Sequence, residues 1–199
     1  MVGRWLDRSI RECHLKGYLR LGTKCHNSLV IIVYNFDMKS YNILFLCTGN
    51  SARSILAEAL VTTLSGGKFI GYSAGSNPAG RVNPFASELA LALGYPKEKL
   101  RSKNWDEFSL PDSPQMDFII TVCDNAANEA CPVWVGHPST AHWGFPDPAS
   151  VDGTDAIKRE AFQKTLLALK KNIEALIKLP IDQLDSSSLK KAIQDIHYE

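Results

Sequence analysis

The sequence has little net charge and no long apolar run. Its 199 residues include 22 basic and 21 acidic side chains, for a formal net charge of +1. A nucleic-acid-binding protein needs a clustered basic face, so near-neutral charge argues against that class. No apolar stretch approaches the ~20 residues of a membrane-spanning helix. Leu29 to Tyr34 (LVIIVY) is short and lacks a small-residue cleavage site, so we expect no signal peptide and no membrane partner.

The cysteines do not suggest a disulfide framework. There are five of them, an odd number, and they are widely spaced: Cys13, Cys25, Cys47, Cys123 and Cys131. Without an export signal, this pattern is typical of reduced thiols in a cytoplasmic protein. For Cys13 and Cys25 the simplest interpretation is a small apolar side chain packed in a core.

The first 37 residues differ in charge from the rest of the chain. They carry six basic and three acidic residues, whereas the remainder is mildly acidic. Met38 stands four residues before an apolar run that begins at Asn42. We therefore predict an extension at 1–37 that is either non-native or non-essential, a domain at 38–180, and a tail at 181–199 with a short helix. A genuine N-terminal helix and edge strand remain the alternative for residues 1–37.

From Tyr41 onward, apolar runs alternate with segments of helical spacing. The runs predict strands at Asn42–Cys47, Lys68–Tyr72, Asp117–Cys123 and around Thr140–Trp143, and helices at Ser54–Leu64, Pro84–Leu93 and Asp155–Leu179. This order predicts an α/β fold with three layers, in which helices cover both faces of a four-stranded parallel sheet. Such sheets bind ligands outside the carboxyl ends of their strands, where Cys47, Cys123 and the segment before Asp147 would lie.

The segment CTGNSARS, between the first strand and the first helix, carries the main chemical signal. Its loop residues are Thr48, Gly49, Asn50, Ser51, Ala52, Arg53 and Ser54. A helix N-terminus offers unpaired amides and a positive dipole end, and a glycine-containing loop lets several amides converge on one anion. The guanidinium of Arg53 adds paired donors for a tetrahedral oxyanion. The absence of Gly-Lys-Ser/Thr excludes a Walker loop.

The same loop is expected to activate Cys47. A positive field favours thiolate over thiol, which predicts a lowered pKa and a nucleophile near neutral pH. Ser54 is placed to donate a hydrogen bond to the sulfur. Asn50 is a residue type that tolerates the left-handed backbone of a tight loop.

Three segments together carry a family resemblance. FLCTGNSARS resembles the loop of the low-molecular-weight protein tyrosine phosphatases, and TVCDNAANEACPVW and HWGFPDPA are similar to segments of their arsenate reductase branch. The resemblance covers roughly Tyr41 to Pro180. It implies that Cys47 is the nucleophile, Arg53 the oxyanion clamp and Asp147 the acid that protonates the leaving oxygen. Cys123 and Cys131 would then carry the oxidation.

The resemblance implies reduction of arsenate to arsenite by a three-cysteine relay. It implies no bound cofactor and an external thiol reductant, either thioredoxin or glutaredoxin with glutathione. Reducing arsenate takes two electrons, which is what one new disulfide supplies. A tyrosine phosphatase of the same fold is the alternative, although it would not need Cys123 and Cys131. A non-catalytic oxyanion-binding regulator is the alternative from another class.

The spacing of Cys123 and Cys131 adds a constraint. The residues between them, Asp124 to Ala130 (DNAANEA), are compatible with a helix, in which residues eight apart lie ~12 Å apart along the axis. A disulfide needs Cα atoms within ~7 Å. We therefore predict that such a helix unwinds when the protein is oxidised.

Two groups of residues have side chains of the kinds that bind cations. Cys123, Cys131, His137 and His142 have the spacing C-x7-C-x5-H-x4-H, which lacks the compact pair typical of zinc sites, so we expect no metal. Some members of the resembled family bind potassium near the loop. Glu58 and Ser73 stand where its ligands would be expected, but Asn104 replaces a carboxylate.

Overall fold

The fold is built on a parallel sheet. A computed structural model describes residues 39–128, 134, 136 and 138–196. Its strands are β1 (Tyr41–Cys47), β2 (Phe69–Gly75), β3 (Phe118–Thr121) and β4 (Ser139–His142). They follow the order β2-β1-β3-β4, and every pair is parallel. This confirms the predicted four-stranded α/β sheet.

Five α-helices lie within the described residues. They are α1 (Arg53–Leu64), α2 (Pro84–Ala92), α3 (Asp124–Asn128), α4 (Asp155–Lys178) and α5 (Ser186–Gln194). Side chains cap three of them: Asn83 accepts a hydrogen bond from Phe85 N at 3.0 Å, Thr154 accepts one from Ile157 N, and Asp185 accepts from Ser187 N and Ser188 N. Asn83 and Thr154 stand directly before Pro84 and Asp155, where the sequence predicts that these helices begin.

Strand β2 is longer than its apolar pattern predicts. The predicted strand ended at Tyr72, whereas the observed strand continues to Gly75. Ser73 and Gly75 interrupt the apolar run, but they pair with Phe45 and Cys47 of β1. Backbone pairing thus carries β2 along the full length of β1 and brings its end beside the cysteine.

Both faces of the sheet are buried. Alternate side chains of β1 lie in different clusters, since Ile43 and Phe45 pack with helices α1 and α4, and Leu44 and Leu46 pack on the other face. That second face, which includes Ile119 of β3, is covered by Met116 and by Trp105 and Phe108 of the 3₁₀ helix Trp105–Phe108. With neither face open, the ends of the strands are left for ligand binding.

The C-terminal tail contributes to the main core. A short helix is present there, as expected, and its Leu189 and Ile193 are buried in the same cluster as β1 and α4. The Trp143 indole donates to the Ile193 carbonyl oxygen at 3.0 Å. Trp143 is therefore a residue of the main core.

Several predictions fall on residues outside the described set. These are the extension at 1–37 with Cys13 and Cys25, together with Cys131 and His137. Within the described part of the chain, no helix is both long and apolar enough to cross a membrane.

Candidate oxyanion-binding active site

The anion loop, residues 47–54, joins the carboxyl end of β1 to the start of α1. Ala52 precedes the helix and provides no side-chain cap, and the first turn of α1 contains no acidic residue. The amides of that turn therefore lack the usual side-chain cap, and that of Ser54 bonds the Cys47 sulfur, which suits this end of the helix to holding negative charge.

Backbone carbonyl groups of the loop accept hydrogen bonds from the segment that follows β2. Thr48 O accepts from Asn77 N at 3.0 Å, Gly49 O from Ala79 N at 2.8 Å, and Ser51 O from Asn83 N at 2.9 Å. A side chain at Gly75 would come within 2.3 Å of the Thr48 carbonyl oxygen, so β2 can approach the loop only with glycine there. These three hydrogen bonds join the loop to the segment after β2 and help to fix its backbone.

Cys47 lies inside this loop and is nearly inaccessible. Its side chain is 3% exposed, and its sulfur lies 2.9 Å from Ser54 Oγ and accepts a hydrogen bond from Asn50 N at 3.2 Å. The contact predicted for Ser54 is therefore present.

The predicted lowering of the Cys47 pKa needs correction. Burial raises the pKa of the Cys47 thiol, and the hydrogen bonds from Ser54 and Asn50 act in the opposite direction without overcoming it. The sequence shows the positive end of the helix but not how completely the loop encloses the sulfur.

Asn50 is the structural centre of the loop. It has a φ of 41°, the left-handed backbone that its residue type favours. Its Nδ2 donates to Ser54 Oγ and to Ser73 Oγ, each at 2.9 Å, and its Oδ1 accepts from Lys103 N at 2.6 Å. The amide side chain thus links the loop to both β2 and the segment at residue 103.

Behind Asn50 lies a buried polar network around Glu58. This carboxylate is 5% exposed and accepts hydrogen bonds from Ser73, from Tyr95 OH at 2.5 Å and from Lys103 Nζ at 3.3 Å. Burial and the neighbouring Glu58 raise the pKa of Tyr95, whereas burial lowers the pKa of Lys103 against the attraction of Glu58. The lysine ammonium therefore lies between Glu58 and Ser73, the two residues singled out for a potassium site.

Sequence reasoning missed Lys103, because a buried lysine and a surface lysine look the same in a sequence. The available signal was Glu58, a carboxylate within the apolar run of α1 (SILAEALV). A buried carboxylate calls for a cation or several donors.

The structure brings Arg53 and Asp147 together. Arg53 Nη2 lies 3.1 Å from Asp147 Oδ2, and Arg53 Nη1 donates to the Phe145 carbonyl oxygen at 2.9 Å. The Asp147 side chain is 41% exposed, and its other oxygen caps a 3₁₀ turn by accepting from Ala149 N at 3.1 Å. The predicted clamp and the predicted acid are therefore adjacent, joined as an ion pair.

Cys123 lies beside the same loop, immediately after β3. It is 2% exposed, and its sulfur is 3.8 Å from Thr48 Oγ1 and accepts a hydrogen bond from Ala126 N at 3.4 Å. Helix α3 begins at the next residue and is described as far as Asn128. Of the three predicted relay cysteines, the structure therefore places two near the anion loop, and Cys131 lies outside the described residues.

His142 is a structural neighbour of Cys123. Its Nδ1 lies 2.8 Å from Thr121 Oγ1 and its Nε2 lies 3.1 Å from Asp124 Oδ1. Both ring nitrogens are engaged by these groups. Among the described residues, no cluster of three potential metal ligands is present.

Two relatives of this chain are named arsenate reductases. One from Halalkalibacterium halodurans is 36% identical over 132 residues, which are 66% of this chain and 91% of the relative. Another, from Bacillus subtilis strain 168, is 36% identical over 127 residues, 64% of this chain and 88% of the relative.

Solved structures give the same picture of the fold. A structure described as an arsenate reductase in the intermediate state is 29% identical, with a TM-score of 0.53, and the match covers 69% of this chain and 96% of that one. A low molecular weight protein tyrosine phosphatase from T. tengcongensis, at 21% identity and a TM-score of 0.54, shares the fold over 73% of this chain and 100% of that chain.

The family itself follows from a match over most of the chain. The model of the low molecular weight phosphotyrosine protein phosphatase family matches residues 42–194, from the first strand through the C-terminal helix. The match includes the anion loop, both buried cysteines and Asp147. This chain belongs to the low molecular weight phosphotyrosine protein phosphatase family.

Proposed function

We propose that this protein reduces arsenate to arsenite, using Cys47, Cys123 and Cys131 in sequence. The observation that carries the proposal is the second buried thiol, Cys123, held 3.8 Å from Thr48 of the anion loop. Hydrolysis of a phosphate ester needs one thiol and water, whereas reduction of arsenic needs a second thiol. The names of the relatives support the same substrate.

The first step joins Cys47 to arsenic. Arsenate binds the loop amides and the Arg53 guanidinium, and Cys47 sulfur attacks arsenic. The S–As bond forms as an As–O bond breaks, and Asp147 protonates the oxygen, which leaves as water. Since burial raises the Cys47 pKa, the thiol proton passes to an arsenate oxygen or to solvent before attack.

The next two steps move two electrons to arsenic. Cys123 attacks Cys47 sulfur, an S–S bond forms, and the electron pair of the S–As bond leaves with arsenic as arsenite. Cys131 then attacks Cys123, which releases Cys47 as a thiol and leaves a Cys123–Cys131 disulfide. An external dithiol, thioredoxin or glutaredoxin with glutathione, reduces that disulfide in a reducing compartment such as the cytoplasm.

The last step requires the segment after Cys123 to move. Ala126 N donates to Cys123 sulfur, and α3 begins at Asp124, so the start of a helix holds the Cys123 side chain while its sulfur is outside a disulfide. We expect lower amide-exchange protection over residues 124–128 in the oxidised protein than in the reduced protein. Equal protection in both states would contradict a rearrangement.

The test is arsenate-dependent oxidation of NADPH, coupled separately to thioredoxin with its reductase and to glutathione with glutaredoxin. Turnover is expected with one of the two couples. Cys123→Ser and Cys131→Ser should abolish it, while Cys13→Ser, the matched cysteine control, should keep it. No turnover with either couple would overturn the proposal.

A tyrosine phosphatase is the second candidate. Cys47, Arg53 and Asp147 by themselves form a nucleophile, a clamp and an acid, which is sufficient for ester hydrolysis. Hydrolysis of an aryl phosphate that survives Cys131→Ser, in a protein that does not reduce arsenate, would establish it.

A further inference from the structure

Lys103 is a buried cation for which the proposed chemistry has no direct use. Its side chain is 5% exposed, and its ammonium donates to Glu58 Oε2 at 3.3 Å, Ser73 Oγ at 3.3 Å and the Arg101 carbonyl oxygen at 3.2 Å. Lysine is almost never fully buried unless it is paired. A buried ion pair is weak evidence for stability, which points to a role for Lys103 other than stabilisation of the fold.

Two series of hydrogen bonds connect Lys103 to Cys47, and both pass through Asn50. Its backbone amide donates to Asn50 Oδ1 at 2.6 Å, and its ammonium contacts Ser73 Oγ, which accepts from Asn50 Nδ2 at 2.9 Å. The backbone amide of Asn50 then donates a hydrogen bond to the Cys47 sulfur at 3.2 Å. The conformation that Asn50 holds is the left-handed one, which has to be supported by its surroundings.

We propose that Lys103 is a positioning residue. The contacts of its charged ammonium with Glu58 and Ser73 keep Asn50 and the anion loop in the anion-binding conformation. The choice of arsenate as the ligand rests on the proposed function, whereas the positioning role does not. Ser73 donates its proton to Glu58, which leaves its oxygen to accept from Asn50 and Lys103.

Charge is the property that the arrangement requires. Without a cation, the Glu58 carboxylate would keep only Ser73 and Tyr95 as donors in a buried site. The carboxylate would then need another donor, such as water, and the hydrogen bond from Ser73 would be redirected. Asn50 would lose a fixed partner, and the loop would lose its preformed shape.

The test compares a variant that removes the charge of Lys103 with a double variant that removes both charges of the Lys103–Glu58 pair. Lys103→Met removes the charge at similar length, and Lys103→Met with Glu58→Gln removes both charges of the pair. Lys99→Met, at an exposed lysine, is the matched control. The readouts are calorimetric binding of inorganic phosphate to the fully reduced full-length protein and the pH profile of Cys47 alkylation, neither of which needs turnover.

Lys103→Met is expected to weaken phosphate binding at least about tenfold and to shift the alkylation profile. The double variant should recover much of the loss, and the control should match the wild type. Wild-type binding and an unchanged profile in a folded Lys103→Met protein would overturn the proposal. A folded double variant with no recovery would also overturn it, because loss of packing alone would then explain the defect.

Chemical rescue provides an independent check, including the case in which Lys103→Met fails to fold. Lys103→Ala opens a space lined by Glu58 and Ser73, and methylammonium or potassium should restore phosphate binding while choline, which is too large, should not. Equal binding with all three cations would contradict the proposal. A wild-type protein that binds phosphate without reducing arsenate would refute the proposed function and leave this inference standing.

Discussion

At the scale of single residues, Cys47 is subject to opposing influences. Burial raises its pKa, while Ser54 and Asn50 lower it through hydrogen bonds. Ser54 and Asn50 are themselves joined at 2.9 Å, so the sulfur is held by a connected set rather than by separate contacts. The reactivity of the thiol should therefore depend on each member of that set.

Ser54→Ala should raise the apparent pKa of Cys47. The hydroxyl lies 2.9 Å from the sulfur and favours the thiolate, so its loss favours the thiol. The pH dependence of iodoacetamide alkylation measures the shift. Ser102→Ala is the control, since that hydroxyl bonds the Gly49 carbonyl at 3.2 Å rather than the sulfur. A lower apparent pKa in Ser54→Ala would contradict this assignment.

The residue types of the loop predicted part of this arrangement. Glycine, asparagine, arginine and serine after a strand predicted an anion loop, and Asn50 has the expected left-handed backbone. The enclosure of Cys47 and the burial of Lys103 come from segments distant in sequence. Neither leaves a local pattern, which is why the raised pKa and the lysine were missed.

At the scale of elements, the site depends on how closely β2 approaches the loop. Gly75 pairs with Cys47 in the sheet, and its amide donates to the Lys103 carbonyl oxygen at 2.9 Å. The end of β2 thus connects the nucleophile to the segment that carries the buried lysine. The strand positions were predictable from apolar runs, but this end was not, because Ser73 and Gly75 do not resemble a strand.

Gly75→Ala should destabilise the protein by roughly 1–3 kcal/mol. The added Cβ would lie 2.3 Å from the Thr48 carbonyl oxygen, so the backbone has to shift. A thermal melt should show a drop of about 2–4 °C per kcal/mol. Gly49→Ala is the control, since its Cβ would meet only Ser51 Oγ at 3.6 Å within 4 Å. A Gly75→Ala variant that melts at the wild-type temperature would contradict the close approach of β2 to the anion loop.

At the scale of the whole molecule, the residues of the proposed mechanism and the buried lysine come from four distant parts of the chain. Cys47 ends β1, Cys123 follows β3, Asp147 follows β4, and Lys103 precedes the 3₁₀ helix at Trp105. The parallel sheet brings the first three to its carboxyl end, which the alternation of strands and helices predicted. The C-terminal helix adds Leu189 and Ile193 to the core, so the tail belongs to the folded unit.

Removing residues 1–37 should leave folding and turnover intact. The family match begins at residue 42, and the described core from Tyr41 onward includes both faces of the sheet. A chain that begins at Met38 can be compared with the full chain by thermal melt and by the coupled assay. An insoluble or inactive product would instead favour the alternative, an N-terminal helix and strand that pack on the core.

A single turnover without any external reductant tests the central claim most directly. Fully reduced protein is mixed with excess arsenate, arsenite is quantified, and the disulfides are mapped by mass spectrometry. The relay predicts about one arsenite per chain, with the loss of two thiols as a Cys123–Cys131 disulfide. Cys123→Ser should yield no arsenite. A full set of thiols and no arsenite after mixing, in a protein that hydrolyses an aryl phosphate, would contradict the account.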